Sequence, residues 1–106
     1  MGLSVSIELY KGKKIIHEEH WDSDGYAIFL WMIEYYPLLK RNRNYQKKEI
    51  KRQVLEIILN ELSEIGKLDR DFRIEQSSIR INRFLKKMDD PSIKRSKIKI
   101  IYVGSL

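Results

Sequence analysis

The chain has 106 residues, of which 42% are hydrophobic and 34% are charged, and its formal net charge is +6 at pH 7. This length fits a single domain over residues 1–106, and the composition excludes a disordered chain. The absence of cysteine excludes disulfides and thiolate metal sites and suits the cytoplasm. No signal peptide is evident, and the longest apolar stretch is far shorter than the about 20 residues of a bilayer-spanning helix, so no membrane contact is expected.

The first predicted element is a β-hairpin. Apolar residues alternate with more polar ones from Leu3 to Leu9, and this period of two predicts a half-buried strand. Lys11-Gly12-Lys13-Lys14 predicts a tight turn in which the glycine supplies a positive φ. A second strand from Ile15 to Trp21 completes the hairpin.

An aromatic helix is predicted to follow the hairpin. The segment Asp22–Gly25 stops the strand and offers side chains that cap helices. The helix is expected from Gly25 to Tyr36, where Pro37 ends it. Because Glu34 is the only charged residue in its body, the helix is predicted to be buried on more than one side.

Basic residues are concentrated between Lys40 and Arg52. This stretch holds seven basic residues and one acidic residue, so its net charge of +6 equals that of the whole chain. Asn44 is predicted to cap a helix from Tyr45 to Ile65, whose apolar residues recur every three or four positions. The cations from Lys47 to Arg52 would then lie in the first two turns, where positive charge opposes the helix dipole.

The segment from Asp71 to Met88 admits two interpretations. A helix capped by Ser77 or Ser78 would gather four apolar residues on one side. They are Ile81, Phe84, Leu85 and Met88. A strand is the alternative, because Ile79 and Ile81 also alternate, and Asp71–Gln76 is expected to be a short strand or a turn.

The last predicted element is a strand from Ile98 to Val103. It is apolar on both faces at its end, which is typical of a central strand. The elements together predict an α+β fold: a small antiparallel sheet, made of the N-terminal hairpin and the C-terminal strand, covered by two or three helices.

Catalytic motifs are missing from the sequence. It holds no glycine-rich phosphate loop and no Gly-x-Ser-x-Gly motif. His17 and His20 are three positions apart on a predicted strand, so they point to opposite faces and do not converge on a metal ion. We therefore expect no cofactor, no metal and no enzymatic activity; an unrecognised small enzyme is the weakest interpretation.

Two charged surfaces are the candidates for partner binding, because complementary charge speeds encounter and selects partners. The acidic hairpin end comprises Glu18, Glu19, Asp22 and Asp24. The basic stretch comprises Lys40, Arg41, Arg43, Lys47, Lys48, Lys51 and Arg52.

The hairpin from Leu3 to Trp21, followed by Asp22-Ser23-Asp24-Gly25-Tyr26 at the start of an aromatic helix, resembles the immunity proteins of bacterial polymorphic and contact-dependent growth-inhibition toxins. The resemblance implies a small bacterial protein that neutralises one partner protein, such as a toxin nuclease, by binding it. Nuclease inhibitors are usually acidic because they complement a basic cleft. Since this chain is basic, either an acidic toxin meets the basic stretch or the acidic hairpin end enters a basic cleft.

A small nucleic-acid-binding protein is the alternative. The basic stretch is interleaved with asparagine, glutamine and tyrosine, which can contact phosphates and bases. Further cations would assist: Arg80, Arg83, Lys86, Lys87 and the run Lys94–Lys99. The predicted order of strands and helices, however, matches none of the common nucleic-acid-binding modules.

Overall fold

The computed structural model describes residues 3–39, 45–68, 71–93 and 97–105. In these ranges the chain forms, in order, β1 (Ser4–Lys11), β2 (Lys14–Trp21), a 3₁₀ helix (Ser23–Gly25), α1 (Tyr26–Tyr35), β3 (Gln46–Ile50), α2 (Arg52–Leu68), α3 (Phe72–Met88) and β4 (Ile98–Ser105). The four strands form one antiparallel sheet in the order β2-β1-β4-β3. The α+β fold predicted from the sequence is confirmed.

The hairpin and the last strand form as predicted. β1 and β2 are joined by Gly12 and Lys13, and Gly12 has a φ of 64°, a left-handed conformation that glycine adopts without steric cost. β4 lies between β1 and β3, so it is a central strand, as the sequence predicts.

The two faces of the sheet have different environments. One face, which we call the core face, presents Val5, Ile7 and Leu9, all fully buried, to the helices. The opposite face, which we call the open face, presents Tyr10, Ile101 and Val103; all three are half-buried, and none belongs to the core. An antiparallel sheet commonly buries one face and leaves the other to solvent.

The core joins the sheet to all three α-helices. Its helical members are Ile28, Phe29, Met32, Leu55, Ile58, Leu62, Ile81, Phe84, Leu85 and Met88. α2 and α3 pack against each other, and the Arg52 guanidinium at the start of α2 donates to Asp89 after the end of α3, at 2.7 Å. These two helices therefore run antiparallel.

The helix predicted from Tyr45 to Ile65 is wrong in its first part. Gln46–Ile50 is a strand that pairs with β4, and the helix begins only at Arg52. The backbone groups on the second side of β4 need hydrogen-bond partners, and β3 supplies them. Lys47, Lys48 and Lys51 are therefore not in the first turns of a helix, and the proposed cap Asn44 lies outside the described residues.

The ambiguous segment after Asp71 is a helix throughout. The Asp71 carboxylate accepts a hydrogen bond from the Arg73 backbone N–H at 2.8 Å and caps α3, so the predicted strand or turn over Asp71–Gln76 is wrong. Ser77 is not a cap; it is buried inside the helix, where its hydroxyl accepts a hydrogen bond from Trp21 Nε1 at 3.1 Å. The four apolar residues from Ile81 to Met88 are buried, as the helical interpretation predicts.

α1 is less buried than its composition predicts. Only Ile28, Phe29 and Met32 are buried within it, whereas Tyr26 is 50% exposed. The fully buried tryptophan is Trp21 of β2. None of the helices in the described ranges combines the length and apolar composition needed to cross a bilayer.

Candidate functional site

The open face carries a row of carboxylates across the middle of the sheet. Glu8 of β1 lies directly opposite Glu18 of β2 and, on its other side, opposite Ile101 of β4. Ile101 in turn lies opposite Glu49 of β3. We call Glu8, Glu18 and Glu49 the acidic row; none of the three forms an ion pair with a described residue.

The facing pair in the acidic row is unfavourable in the isolated protein. Like charges directly opposite each other on neighbouring strands destabilise a sheet by a few tenths of a kcal/mol or more. The Tyr10 hydroxyl donates to Glu8 at 3.2 Å, and Lys47 on the same face attracts Glu8 electrostatically without forming an ion pair with it. A cation supplied by another molecule would relieve this repulsion.

Glu19 of the predicted acidic hairpin end is on the core face and only 4% exposed. The Arg83 guanidinium donates to both of its carboxylate oxygens, at 2.7 and 2.6 Å, and His17 lies 2.6 Å away. Burial disfavours the charged form of Glu19, but the hydrogen bonds from Arg83 and His17 outweigh it and hold the pKa of Glu19 below its usual range. Glu19 therefore joins α3 to the sheet and is not available to a partner.

The two aspartates of the predicted acidic hairpin end have different environments. Asp24 accepts a hydrogen bond from Arg80 at 2.7 Å, and this bond overcomes the effect of partial burial and lowers the pKa of Asp24. The Asp22 side chain is 85% exposed, and its carboxylate lies 3.0 Å from the exposed His20 ring. Of the four predicted acidic residues, Glu18 and Asp22 thus remain exposed to solvent, and Glu18 belongs to the acidic row.

The basic stretch does not form one surface in the described residues. Lys47 is on the open face, whereas its neighbour Lys48 points to the other side, where its ammonium lies 5.8 Å from the centre of the Tyr36 ring. Arg52 is engaged with Glu56 and Asp89, and Lys51 is exposed just before α2. Lys40, Arg41 and Arg43 lie outside the described residues.

Lysines of the open face lie over tyrosine rings. The Lys99 ammonium is 5.6 Å from the centre of the Tyr10 ring, and the Lys47 ammonium is 5.9 Å from the centre of the Tyr45 ring. Contact with the Tyr45 hydroxyl, together with the nearby Tyr10, raises the pKa of Lys47, so its positive charge is firmly held. Lys99, Tyr10, Lys47 and Glu49 line a shallow groove of about 300 Å³.

The two histidines lie on opposite faces of β2, as the sequence predicts. His17 contacts Glu19 on the core face, whereas His20 contacts the Ser6 hydroxyl on the open face at 2.8 Å. Within the described ranges, no group of three or more histidine, aspartate or glutamate side chains is arranged to hold a metal ion.

Sequence reasoning missed Glu8 and Glu49 of the acidic row. The alternation from Leu3 to Leu9 already placed Glu8 away from the core. Its position opposite Ile101 depends on the long-range pairing of β1 with β4, and Glu49 was assigned to a helix. No local sequence signal carries such a pairing.

Comparisons with known proteins give no relative. No family model, no curated protein and no solved structure matches this chain.

Proposed function

We propose that this chain is a non-catalytic binding protein that neutralises one partner protein in the bacterial cytoplasm, as an immunity protein does. The expected partner is a toxin domain with a basic cleft, such as a nuclease. The acidic row enters that cleft, and no covalent chemistry takes place on this chain.

The observation that carries the proposal is the facing pair Glu8 and Glu18, in which neither carboxylate forms an ion pair with a described residue. It costs the free protein stability, and a basic group of the partner would remove that cost only in the complex. Binding energy of this kind also selects against partners that lack the basic group. The acidic row gives a net-basic chain a local acidic surface suited to a nuclease.

The composition of the open face supports the same proposal. Ile101 and Val103 form a half-buried apolar strip on β4, and Glu8, Glu49 and Lys47 lie beside it on the neighbouring strands. Protein interfaces share this anatomy of an apolar core within a polar rim. Three strands about 27 Å long and one about 17 Å long, spaced about 4.8 Å apart, give a flat area on the order of 500 Å². With its side-chain relief, this approaches the roughly 800 Å² per partner of a standard interface.

The test starts from the purified chain used as bait in a lysate of its source organism. We expect a complex of fixed 1:1 stoichiometry, and we expect the captured protein to lose its activity when one equivalent of this chain is added. Multiple-turnover activity of this chain alone on nucleic acid, peptide or nucleotide, or inactivation by a small fraction of an equivalent, would contradict the proposal.

Two variants with the same change of charge test whether Glu8 and Glu18 bind the partner. Glu8→Gln with Glu18→Gln removes the acidic pair and its repulsion, so the fold should be at least as stable as before. Glu64→Gln with Glu75→Gln makes the same charge change on the exposed surfaces of α2 and α3. We expect the first variant to bind the partner at least about tenfold more weakly and the second to change the affinity less than about threefold.

A further inference from the structure

Lysines from two distant parts of the chain meet at one end of the sheet. Lys11 ends β1, Lys13 lies in the turn and Lys14 begins β2. Beside this turn, Lys97 precedes β4 and Lys99 is the second residue of that strand. The Gly12 backbone N–H donates to the Lys97 carbonyl at 3.4 Å, and Lys11 lies opposite Ile98. We call these five residues the lysine tip.

The charges of the lysine tip are not neutralised by carboxylates of the described residues, although the Lys99 ammonium lies over the Tyr10 ring. All five side chains are exposed, and none forms an ion pair with a described residue. The four described arginines, by contrast, all pair with carboxylates of this chain, and Lys67 pairs with Glu64. The lysine tip is therefore a concentrated positive field that no described carboxylate of the chain neutralises.

The size of the lysine tip favours a compact anionic partner. It spans β2, β1 and β4, which is a width of about 10 Å at about 4.8 Å per strand spacing. DNA carries one phosphate per about 3.4 Å of axis on each strand, so the lysine tip covers only about three phosphates.

The surroundings of the lysine tip disfavour a long polyanion as well. A nucleic acid that extended from Lys99 along the open face would meet Glu8, Glu18 and Glu49, whose charges repel phosphate. A folded protein can place carboxylates at the tip and cations at the acidic row at the same time.

We infer that the lysine tip binds a compact cluster of carboxylates on the partner protein, beside the basic cleft that receives the acidic row. This inference rests on the proposed function. It identifies the partner's surface as two adjacent patches of opposite charge, which fixes the orientation in which the two proteins associate.

The test compares two triple variants with the same loss of charge. Lys11→Gln, Lys13→Gln and Lys99→Gln remove charge from the lysine tip, whereas Lys67→Gln, Lys86→Gln and Lys87→Gln remove it from α2 and α3. The probe is a labelled polyglutamate peptide of about 20 residues, whose binding is followed by fluorescence anisotropy at about 50 mM salt. We expect the tip variant to weaken binding about tenfold and the helix variant to weaken it less than about threefold. Equal losses in the two variants would overturn the inference.

A DNA duplex of about 20 base pairs is the second probe. We expect its log–log salt dependence to have a slope of magnitude below about three, because the lysine tip contacts few phosphates. A slope of about five or more that the tip variant flattens would assign the lysine tip to nucleic acid and overturn the inference.

The captured partner separates this inference from the proposed function. The tip variant should still neutralise the partner at 1:1 but should associate with it about tenfold more slowly at low salt. If the tip variant neutralises the partner and associates with it at an unchanged rate, the inference about the lysine tip is wrong and the proposed function still holds. If no stoichiometric partner is captured, the proposed function itself is wrong.

Discussion

The described arginines and the lysines of the sheet differ in what they contact. Arg83 and Arg80 hold α3 to β2 and to the 3₁₀ helix through Glu19 and Asp24, respectively. The planar guanidinium makes two parallel hydrogen bonds to Glu19, which an ammonium group does not reproduce. The lysines of the sheet contact tyrosine rings or solvent and leave their charge to act outward.

Replacement of Glu19 tests the structural role of this carboxylate. Glu19→Gln removes a charge-assisted pair at a nearly buried site, so we expect the free energy of unfolding near pH 7 to fall by about 1–3 kcal/mol. The adjacent exposed residue provides the control, because Glu18→Gln should change stability by less than about 0.5 kcal/mol. Urea unfolding measures both, and equal effects would show that the pair with Arg83 contributes nothing.

The same variant predicts a pH dependence. Because the folded-state pKa of Glu19 is lowered, its contribution is present above the unfolded value of about 4.3 and is lost as the pH falls through the folded value. The wild-type protein should therefore lose more stability than Glu19→Gln between about pH 5 and pH 3. Parallel losses in the two proteins over that interval would contradict the pKa assignment.

Tyr102 carries a buried hydroxyl without a hydrogen-bond partner among the described residues, and burial raises its pKa to about 12. Tyr102→Phe removes this unsatisfied group, so we expect it to stabilise the protein by about 1 kcal/mol.

A methyl group at position 104 would collide with the Tyr102 hydroxyl, so Gly104→Ala should be destabilising. Thermal unfolding should show a smaller penalty for Gly104→Ala in the Tyr102→Phe background than in the parent; additive effects would exclude this contact as the cause.

At the scale of elements, local patterns identify some parts of the fold and fail at others. The hairpin, α1 and β4 follow from period-two alternation, a glycine turn and an apolar run. β3 does not follow, because Gln46–Ile50 is mostly polar and Ile50 also fits the helical spacing of α2. Its strand conformation comes from the free edge of β4, which is a tertiary cause.

The candidate site was predictable only in part for the same reason. Glu18 and Asp22 were identified as acidic surface residues, and both are exposed. Glu19 and Asp24 were grouped with them because they are neighbours in sequence. Alternation along β2 turns Glu19 into the core, where it is buried. The approach of α3 pairs Asp24 with Arg80. The partners that neutralise them lie more than 50 residues away in the chain.

At the scale of the whole molecule, the fold brings together charged residues that are far apart in the sequence. The first 39 residues carry six acidic residues and three lysines, and all three lysines lie in or directly beside the hairpin turn. Pairing of β1 with β4 adds Lys97 and Lys99 to that turn and places the acidic row beside it on the open face. The protein thus presents a charge pattern of both signs on one face, which is the basis of the proposed binding function.

The central claim is that the open face binds the partner, and Ile101→Lys tests it most directly. A lysine at this position would lie between Glu8 and Glu49, so the variant should fold at least as stably as the parent while its single positive charge offsets part of the charge of the acidic row. Ile79→Lys makes the same substitution at a 51% exposed position on α3 and serves as the control. In a titration of the captured partner's activity, we expect Ile101→Lys to lose neutralisation by at least about a hundredfold and Ile79→Lys to retain it. Full neutralisation by Ile101→Lys, or loss in the Ile79→Lys variant alone, would contradict binding through the open face.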